Sequence, residues 1–459
     1  MNLLRLLNYF RLRPFDTNSE QGRADERHRK IALTAASAAL SKLLSLGTSI
    51  ISIPLTMHYL GPERFGLWMT INSIVVVLSF ADFGIGNGLL NAIAEANGKD
   101  DHDAMRRYIS SAYVVLGAIS VLIILVFQVV YPFFLWEKLF NLKNPVAIEE
   151  IGTAVEVFVI IFALNISASI IQRVQLGLQL GFQSNLWQIA ANLLTLVAII
   201  LFIQLQLGLP WLVGALVGVP LLVAILNGLV FFLFSRKDLK PRFLLVTPAA
   251  TRKIVKTGLL FFILQITASV AFASDNIIIA KMLGAEAVGH YAVPEKLFNM
   301  IPMALGMVLM PLWPAYGEAI GRGDGAWVQK ILKKSMILAF GFSTLSAIAI
   351  VLSAGFILDL WVGATVDPSL TLLIGFGVWK ICEACGNTIS MLLNGGNVVG
   401  FQLKLAGLLL VVSVPMKLLM LGEFGLPGVI WATVLSYSLC VLIPLLFFLP
   451  KILSKYKNI

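Results

Sequence analysis

The chain has 459 residues, of which 58% are hydrophobic and only 13% are charged. Soluble proteins carry about 25% charged residues, so this composition excludes a soluble globular protein. The net charge of +10 could indicate nucleic-acid binding. Its distribution along the chain, described below, indicates membrane topology instead.

The first 30 residues are predicted to form a cytoplasmic tail. Arginines interrupt its short apolar stretch and no small-residue cleavage site follows, so it is not a secretory signal. We expect it to begin as an amphipathic helix at the membrane surface, with Leu3, Leu4, Leu7 and Phe10 on the apolar side.

From residue 31 to the end, runs of about 20 apolar residues recur, each long enough to cross a membrane as a helix. The sequence therefore predicts an all-α polytopic membrane protein. We expect about twelve transmembrane helices, at 31–56, 66–90, 108–134, 151–171, 184–206, 210–234, 254–280, 289–314, 331–358, 368–392, 400–421 and 426–449.

The chain contains an internal repeat. Leu60, Gly61, Glu63 and Gly66 recur 223 residues later as Leu283, Gly284, Glu286 and Gly289, and the segment from Glu95 to Asp101 recurs as Glu318 to Asp324. Six spans per half is an even number, so we expect two six-helix bundles related by a parallel repeat. The predicted organisation is a tail (1–30), an N-terminal bundle (31–235), a cytoplasmic connector (236–253), a C-terminal bundle (254–450) and a short cytoplasmic tail (451–459).

Basic residues predict which side of the membrane each loop occupies. With a cytoplasmic N-terminus, cytoplasmic segments hold 26 of the 34 Lys and Arg residues, whereas the outer loops hold four, Arg64, Lys138, Lys143 and Lys281. This asymmetry follows the positive-inside rule and places both termini in the cytoplasm.

Ionisable residues inside the predicted spans are candidates for function because each is costly to place in a bilayer, roughly 2.5–3.5 kcal/mol at a helix centre. They are Lys42, Asp82, Asp275, Glu295, Lys296, Lys380 and Glu383. They could line a polar cavity, or they could pair locally or reach the surface. Lys417, near the outer end of its helix, is expected to snorkel to the surface.

Two helices carry polar stripes. Lys380 and Glu383 are one turn apart and can pair, and Asn387 and Asn394 continue the same face. This stripe could line a cavity or hold neighbouring helices together. In the seventh span, Gln265, Ser269 and Asn276 share one face, and Asp275 adjoins it.

Several motifs with known chemistry are excluded by context. The run from Gly84 to Gly88 follows no strand, so it is not a dinucleotide loop, and we expect it to permit a bend or a close helix contact. Cys382 and Cys385 lie inside a membrane helix, where burial disfavours a reactive thiolate. The four histidines have no metal-ligand spacing, and no Walker-type phosphate loop is present. We therefore expect no cofactor, no metal and no catalytic residues.

Four segments together resemble a known family. They are the run from Tyr59 to Trp68, the segment from Asp82 to Gly86, the segment from Asp275 to Tyr291, and Pro311 to Glu318 followed by Gly323 and Asp324. They are similar to motifs of the bacterial O-antigen and polysaccharide flippases, a branch of the multidrug, oligosaccharidyl-lipid and polysaccharide exporter superfamily.

The resemblance implies that the two six-helix bundles are V-shaped around a central cavity that opens alternately to each side. It also implies transport of an undecaprenyl-diphosphate-linked oligosaccharide across the inner membrane by this alternating access. In this interpretation Lys42, Lys380, Gln265, Asn276 and Asn387 bind substrate. Asp82, Asp275 and Glu383 couple transport to a proton or sodium ion. A polysaccharide polymerase and a chain-length regulator are possible partners.

Two other functions stay open. The first is ion-coupled export of drugs or toxins by the same superfamily, although such proteins commonly have an acid in the first helix, where this chain has Lys42. The second is a membrane glycan polymerase or ligase, which would need a larger outer loop than the predicted one at about 135–150.

Overall fold

The computed structural model describes residues 8–78, 81–140, 142–362 and 368–457, and in these ranges every regular element is helical. The α-helices, in chain order, are α1 Glu20–Leu78, α2 Ile85–Gly98, α3 His102–Val130, α4 Trp136–Leu139, α5 Pro145–Ala168, α6 Ile170–Gly177, α7 Gly181–Gln204, α8 Leu209–Val230, α9 Pro248–Leu283, α10 Ala285–Phe298, α11 Met300–Leu309, α12 Leu312–Gly321, α13 Gly325–Val362, α14 Leu370–Gly395, α15 Val399–Phe424, α16 Leu426–Tyr437 and α17 Ile443–Lys457. Short 3₁₀-helices and two π-helical turns join some of them.

Ten helical segments of the described chain are long and apolar enough to cross a membrane, so the protein is a multi-pass membrane protein. Every predicted span overlaps a helix, but the count of twelve stays a prediction. The second predicted span is interrupted by a turn at residues 81–84. The tenth, α14, carries Lys380, Glu383 and two asparagines, which lower its mean hydropathy.

Large apolar side chains project outward along α13. Leu352, Phe356 and Leu360 are 82%, 75% and 79% exposed, all on the same helix. Contiguous apolar surface of this kind is unfavourable in water but suits contact with lipid tails. The exposed face of the helix is therefore consistent with a membrane-facing surface.

The chain divides into two compact units, Met1–Leu259 and Leu260–Ile459. In the first unit α1 packs on α7, α5 packs on α8, and α2 packs on α6 and α3. One core cluster contains Leu60, Trp68 and Ile151, and another is built around Leu89 and Ile170.

In the second unit α14 is the central helix. It packs against α12, α13 and α16, while α15 packs along α16. Ile389 and Leu393 of α14 are fully buried in an apolar cluster with Leu405 and Leu445. The polar residues of α14 described below are therefore held by a well-packed helix.

Residues 8–30, within the predicted tail, have an ordered local structure. α1 begins at Glu20, and the residues before it fold back onto its first turns. The Tyr9 hydroxyl donates to Asp25 Oδ1 at 2.9 Å, and the Phe15 backbone N–H donates to Glu26 Oε2 at 2.9 Å. Side-chain acceptors on the helix thus order the chain before it. The predicted amphipathic helix at Leu3, Leu4 and Leu7 lies outside the described residues.

The repeated glycines adopt the same unusual backbone. Gly61 has φ 72° and ψ 170° and marks a kink in α1, and its counterpart Gly284 has φ 91° and ψ 169° between α9 and α10. Only glycine adopts this region readily. The repeat in sequence is therefore also a repeat of backbone geometry.

The second repeated motif ends one helix and begins the next in both halves. Glu95 pairs with Lys99 at 2.8 Å, and Glu318 pairs with Arg322. Asp101 then accepts the backbone N–H of Ala104 at 2.8 Å, and Asp324 accepts that of Trp327 at 3.1 Å. Aspartate at this position caps the N-terminus of the following helix.

In the first half, the motif after the kink also fastens a distant loop. Glu63 accepts the backbone N–H groups of Lys143 and Asn144 at 2.6 and 3.0 Å, and these two hydrogen bonds lower the pKa of its carboxyl. Its neighbour Arg64 pairs with Glu150 at 3.3 Å. The motif thereby holds the segment that leads into α5.

The glycine-rich run from Gly84 to Gly88 forms both a bend and a close helix contact, the two features that the sequence predicts for it. Gly84 has φ 69° at the start of α2, where the chain bends. Gly88 and Gly258 let α2 and α9 approach closely, because a Cβ on Gly88 would lie 2.3 Å from the carbonyl oxygen of Ile254 and one on Gly258 would lie 2.8 Å from the Ile85 Cα.

Candidate functional site

A buried ion pair joins two apolar helices of the second unit. The Lys417 Nζ on α15 lies 2.5 Å from Oδ1 of Asp275 on α9, and the lysine is fully buried. The same ammonium donates to the Ala271 carbonyl oxygen at 2.7 Å, while the Tyr291 hydroxyl donates to Oδ2 of Asp275 at 2.8 Å. Both charges therefore have partners within the bundle, as buried charges require.

The predicted snorkelling of Lys417 is wrong. After this lysine, α15 continues for seven residues to Phe424, roughly 10 Å at about 1.5 Å per residue. That is farther than a lysine side chain reaches. An acidic partner on the neighbouring helix stabilises the ammonium where it is.

The predicted pairing of Lys380 with Glu383 is confirmed. The Lys380 Nζ donates to Glu383 Oε2 at 2.8 Å, one turn along α14. The two partners differ in environment, because the lysine side chain is 4% exposed and the glutamate side chain is 25% exposed. The lysine end of the pair is therefore buried, and the carboxylate end is partly exposed.

Glu295 on α10 interacts electrostatically with members of both pairs. It is half-buried and lies within electrostatic range of Asp275, Lys380 and Glu383. We call Asp275, Glu295, Lys380, Glu383 and Lys417 the C-terminal charge cluster. It combines two cations with three carboxylates inside a largely apolar bundle, which is the arrangement expected of a functional polar site in a membrane protein.

The polar stripe of α14 serves two purposes. Asn387 is half-buried and follows Glu383 along the helix. Asn394, farther along, is buried and accepts a hydrogen bond at 2.8 Å from Gln402 of α15. The far end of the stripe therefore holds two helices together, and the end near Lys380 stays available for other contacts.

In the first unit Asp82 caps α2. Its two carboxylate oxygens accept the backbone N–H groups of Gly84 and Gly86 at 2.8 and 3.2 Å. Arg173 of α6 lies beside it, interacts electrostatically with Asp82 and donates to Asn87 Oδ1 at 3.0 Å. Gly86 leaves room for this guanidinium, since a Cβ there would lie 2.9 Å from Nε of Arg173.

Sequence reasoning missed Arg173. It assigned the arginine to a cytoplasmic loop because the fourth apolar run ends near residue 171. In the structure α6 follows α5 after a single residue. The available signal was the polar residues Gln172, Arg173 and Gln175 directly after that run, at helical spacing with the buried Ile171 and Val174.

The other predicted residues lie in different places. Lys42 is exposed on α1 of the first unit. Gln265 is half-buried and Asn276 is exposed, both on the part of α9 that belongs to the second unit. The structure thus brings Asp275, Lys380 and Glu383 into one cluster, without placing Gln265 or Asn276 in it.

Solved structures share this fold. A crystal structure of a mutant MATE protein matches with a TM-score of 0.77 at 16% identity, covering 94% of this chain and 97% of that one. A transporter of the MOP superfamily from Pyrococcus furiosus, described as having a binding pocket of reverse polarity, matches with a TM-score of 0.73 at 15% identity, covering 94% and 96%. The chain therefore shares the all-α fold of these proteins.

Sequence comparison identifies the family. The family model for "Polysaccharide biosynthesis protein" matches residues 31–319, so the chain belongs to that family, which confirms the resemblance found in the motifs. A Salmonella typhi protein named "Putative O-antigen transporter" is 25% identical over 433 residues, 89% of this chain and 93% of that one. A Yersinia pseudotuberculosis protein named "Putative O-antigen export protein" is 23% identical over 429 residues, 89% and 93%.

Proposed function

We propose that the protein moves undecaprenyl-diphosphate-linked oligosaccharide units from the cytoplasmic to the periplasmic leaflet by alternating access, as a step in O-antigen assembly. Family membership and the two relatives named for O-antigen transport or export support this proposal. In this proposal the protein is a transporter without catalytic activity. It lies in the bacterial inner membrane with both termini in the cytoplasm, as the basic asymmetry of its loops favours.

The observation that carries the proposal is the environment of Lys380. Its ammonium is buried within a membrane helix and has a partner, Glu383, that is partly exposed. A diphosphate carries more negative charge than one carboxylate and offers more acceptor oxygens. It can therefore compete with Glu383 for this ammonium when the substrate head group enters from the open side of the pair.

The sugar head group needs hydrogen-bonding partners as it loses water. Asn387 lies one turn beyond Glu383 and supplies an amide on the same face of α14 as Lys380. Gln265 and Asn276 on α9 are proposed to contact sugar hydroxyls, and the exposed ammonium of Lys42 on α1 is proposed as a second contact for the diphosphate. The lipid tail can stay in the bilayer throughout.

Transport against a gradient requires an energy source, which we propose to be a proton or sodium ion bound by a carboxylate. Glu383 is the best placed of the three predicted groups because it is accessible and already paired with the proposed substrate contact. Asp275 is held by Lys417 and Tyr291, and Asp82 is occupied as a helix cap. Both would have to release these partners to bind an ion.

The test replaces Lys380 with alanine and measures flipping in cells. We expect Lys380→Ala to reach the membrane in normal amounts and to lower surface O-antigen at least about tenfold, because a lost hydrogen bond to a charged group costs about 1.5–3 kcal/mol. Complete lipid-linked units should accumulate on the cytoplasmic face. Lys380→Arg should retain part of the activity, and Lys42→Ala should also transport poorly.

Lys330→Ala is the matched control, since Lys330 is exposed near the start of α13 and should transport normally. Normal surface O-antigen in both Lys42→Ala and Lys380→Ala would contradict the assigned site. A deletion strain that keeps its surface glycan but becomes sensitive to drugs would favour multidrug export over flipping.

A further inference from the structure

The part of the predicted connector that precedes α9 lies in the first unit and exposes apolar and basic side chains. Residues 236–247 run between the apolar segments Leu209–Ser235 and Pro248–Leu283 and contain two short 3₁₀-helices, Lys237–Leu239 and Phe243–Leu245. Because the chain leaves one membrane helix and enters the next within twelve residues, the connector stays close to one membrane surface.

Contacts with α3 and with an apolar core cluster of the first unit hold the connector in place. Asp238 is bound by Arg236 at 2.7 Å and by the Nδ1 of His102 on α3 at 3.0 Å, and the hydrogen bonds from Arg236 contribute most to lowering the pKa of Asp238 to about 2. Leu239 is fully buried in the core. The Arg242 backbone N–H donates to Ser110 Oγ of α3 at 3.0 Å. The connector is therefore an ordered element and presents a defined surface.

The outward side of that surface is apolar and basic. Phe243 and Leu244 are 79% and 94% exposed, and Lys240 and Arg242 next to them are also exposed. The acid of this segment, Asp238, already pairs with Arg236 and His102. Lys240 and Arg242 therefore carry positive charge without a carboxylate neighbour on the connector.

We propose that this surface, Lys240 to Leu244, binds anionic phospholipid of the adjacent leaflet. Phe243 and Leu244 enter the boundary between head groups and acyl chains, while Lys240 and Arg242 contact lipid phosphates. Large apolar side chains flanked by cations suit an interface of this kind. A negatively charged leaflet attracts such cations within a Debye length, a distance compatible with a connector held beside two membrane helices.

A protein partner fits the surface less well. The apolar part consists of two adjacent side chains, far smaller than a specific protein interface of about 800 Å² per partner. A lipid surface needs no large complementary area, because the membrane helices already hold the connector next to it. The membrane is therefore the occupant that the position and the charges favour.

The test uses the full-length protein with Cys382, Cys385 and Cys440 replaced and a spin label attached to Phe243→Cys. The matched control is a label at Lys237→Cys, an exposed position of the same connector. Both are reconstituted in phosphatidylcholine alone and in equal parts of phosphatidylcholine and phosphatidylglycerol. Collision with oxygen, which concentrates in the bilayer, is compared with collision with a water-soluble nickel chelate.

We expect the label at 243 to collide with oxygen and to be protected from nickel in the anionic membrane, and the label at 237 to behave as a water-exposed site. Lys240→Gln combined with Arg242→Gln should lower the equilibrium ratio of membrane-bound to water-exposed 243 label about fivefold for each cation removed. Equal exposure to nickel at both positions would overturn the proposal. Protection from nickel and oxygen together would also overturn it, because it would indicate a protein contact. The measurement involves no transport and is independent of the proposed substrate.

Discussion

The two halves of this protein share their turns and differ in their polar interiors. Gly61 and Gly284 have the same backbone geometry, and Asp101 and Asp324 cap equivalent helices. The buried pair of Asp275 with Lys417, however, has no repeat counterpart in the first half, where the position equivalent to Asp275 is Ser52. Duplication thus preserved the residues that shape the chain, and the charged interior differs between the copies.

Residues that set backbone geometry and charged residues inside a bundle are constrained differently. Residues of the first kind are constrained in the same way in both copies, because both bundles need the same kinks and caps. Charges inside a bundle must instead match partners on other helices, and those partners differ between the halves. In the first half, Asp82 lies at the start of α2 beside Arg173 of α6. In the second half, the charge cluster is spread over α9, α10, α14 and α15.

The largest expected effect on stability comes from breaking the buried pair of Asp275 and Lys417 in the second half. Lys417→Met leaves the Asp275 carboxylate without its ammonium and should destabilise the protein by about 3–5 kcal/mol. Adding Asp275→Leu should recover most of that loss, since a buried pair can often be replaced by apolar residues at little cost. Thermal unfolding of the purified variants in detergent measures both changes.

The control for this prediction is Lys253→Met in the first unit. Lys253 pairs with Glu95 at 2.8 Å, but both side chains are more than one third exposed, so the expected cost is about 0.2–1 kcal/mol. Equal stability of Lys417→Met and the unmodified protein would show that the buried pair contributes nothing. If the double variant with Lys417→Met and Asp275→Leu is stable but does not transport, this result supports a coupling role for Asp275.

An intermediate effect is expected from the shared glycines. Gly61→Ala and Gly284→Ala each place a Cβ at a backbone conformation that costs about 1–3 kcal/mol for other residues. The two variants should lose similar stability, measured by the same unfolding assay. Gly117→Ala and Gly306→Ala, one in each half and with open space around the new Cβ, should be neutral or slightly stabilising. A large difference in stability between Gly61→Ala and Gly284→Ala would mean that the two copies no longer share the same requirement for glycine.

The smallest expected effect concerns Glu95. Burial alone would raise the pKa of its carboxyl, but hydrogen bonds from Lys253 and Lys99 outweigh burial and lower it from the ordinary value of 4.5. The ionised form is therefore stabilised on folding, and this contribution is present above pH 4.5 and is lost as the pH falls below it. Glu95→Gln should reduce stability slightly at pH 7, and the difference from the unmodified protein should shrink toward pH 4. A difference that is constant over this range would contradict the ionic contribution.

Much of this architecture could be predicted from the sequence because its signals are local. Apolar runs, repeated glycines and acidic caps act within a few residues of where they lie in the chain. The pairing of Lys380 with Glu383 belongs to this class, because a separation of one helical turn is enough to bring the charges together.

The contacts between distant residues could not be predicted. Asp275 and Lys417 pair because α9 and α15 approach each other at these two residues. Their wide separation in the sequence does not indicate this contact. Arg173 was missed for a related reason, since its role depends on α6 lying against the start of α2. One amino-acid sequence indicates that a buried charge needs a partner, and the packing of helices decides which partner it has.

The close approach of Gly88 and Gly258 has a practical consequence for expressing the halves separately. A natural place to divide the gene is the connector, where the repeat suggests a boundary. A fragment ending there would lack Ile254 and Gly258, which pack on α2, and Lys253, which binds Glu95. The N-terminal fragment should therefore be expressed through residue 259, and co-expressed fragments should overlap in the first turns of α9.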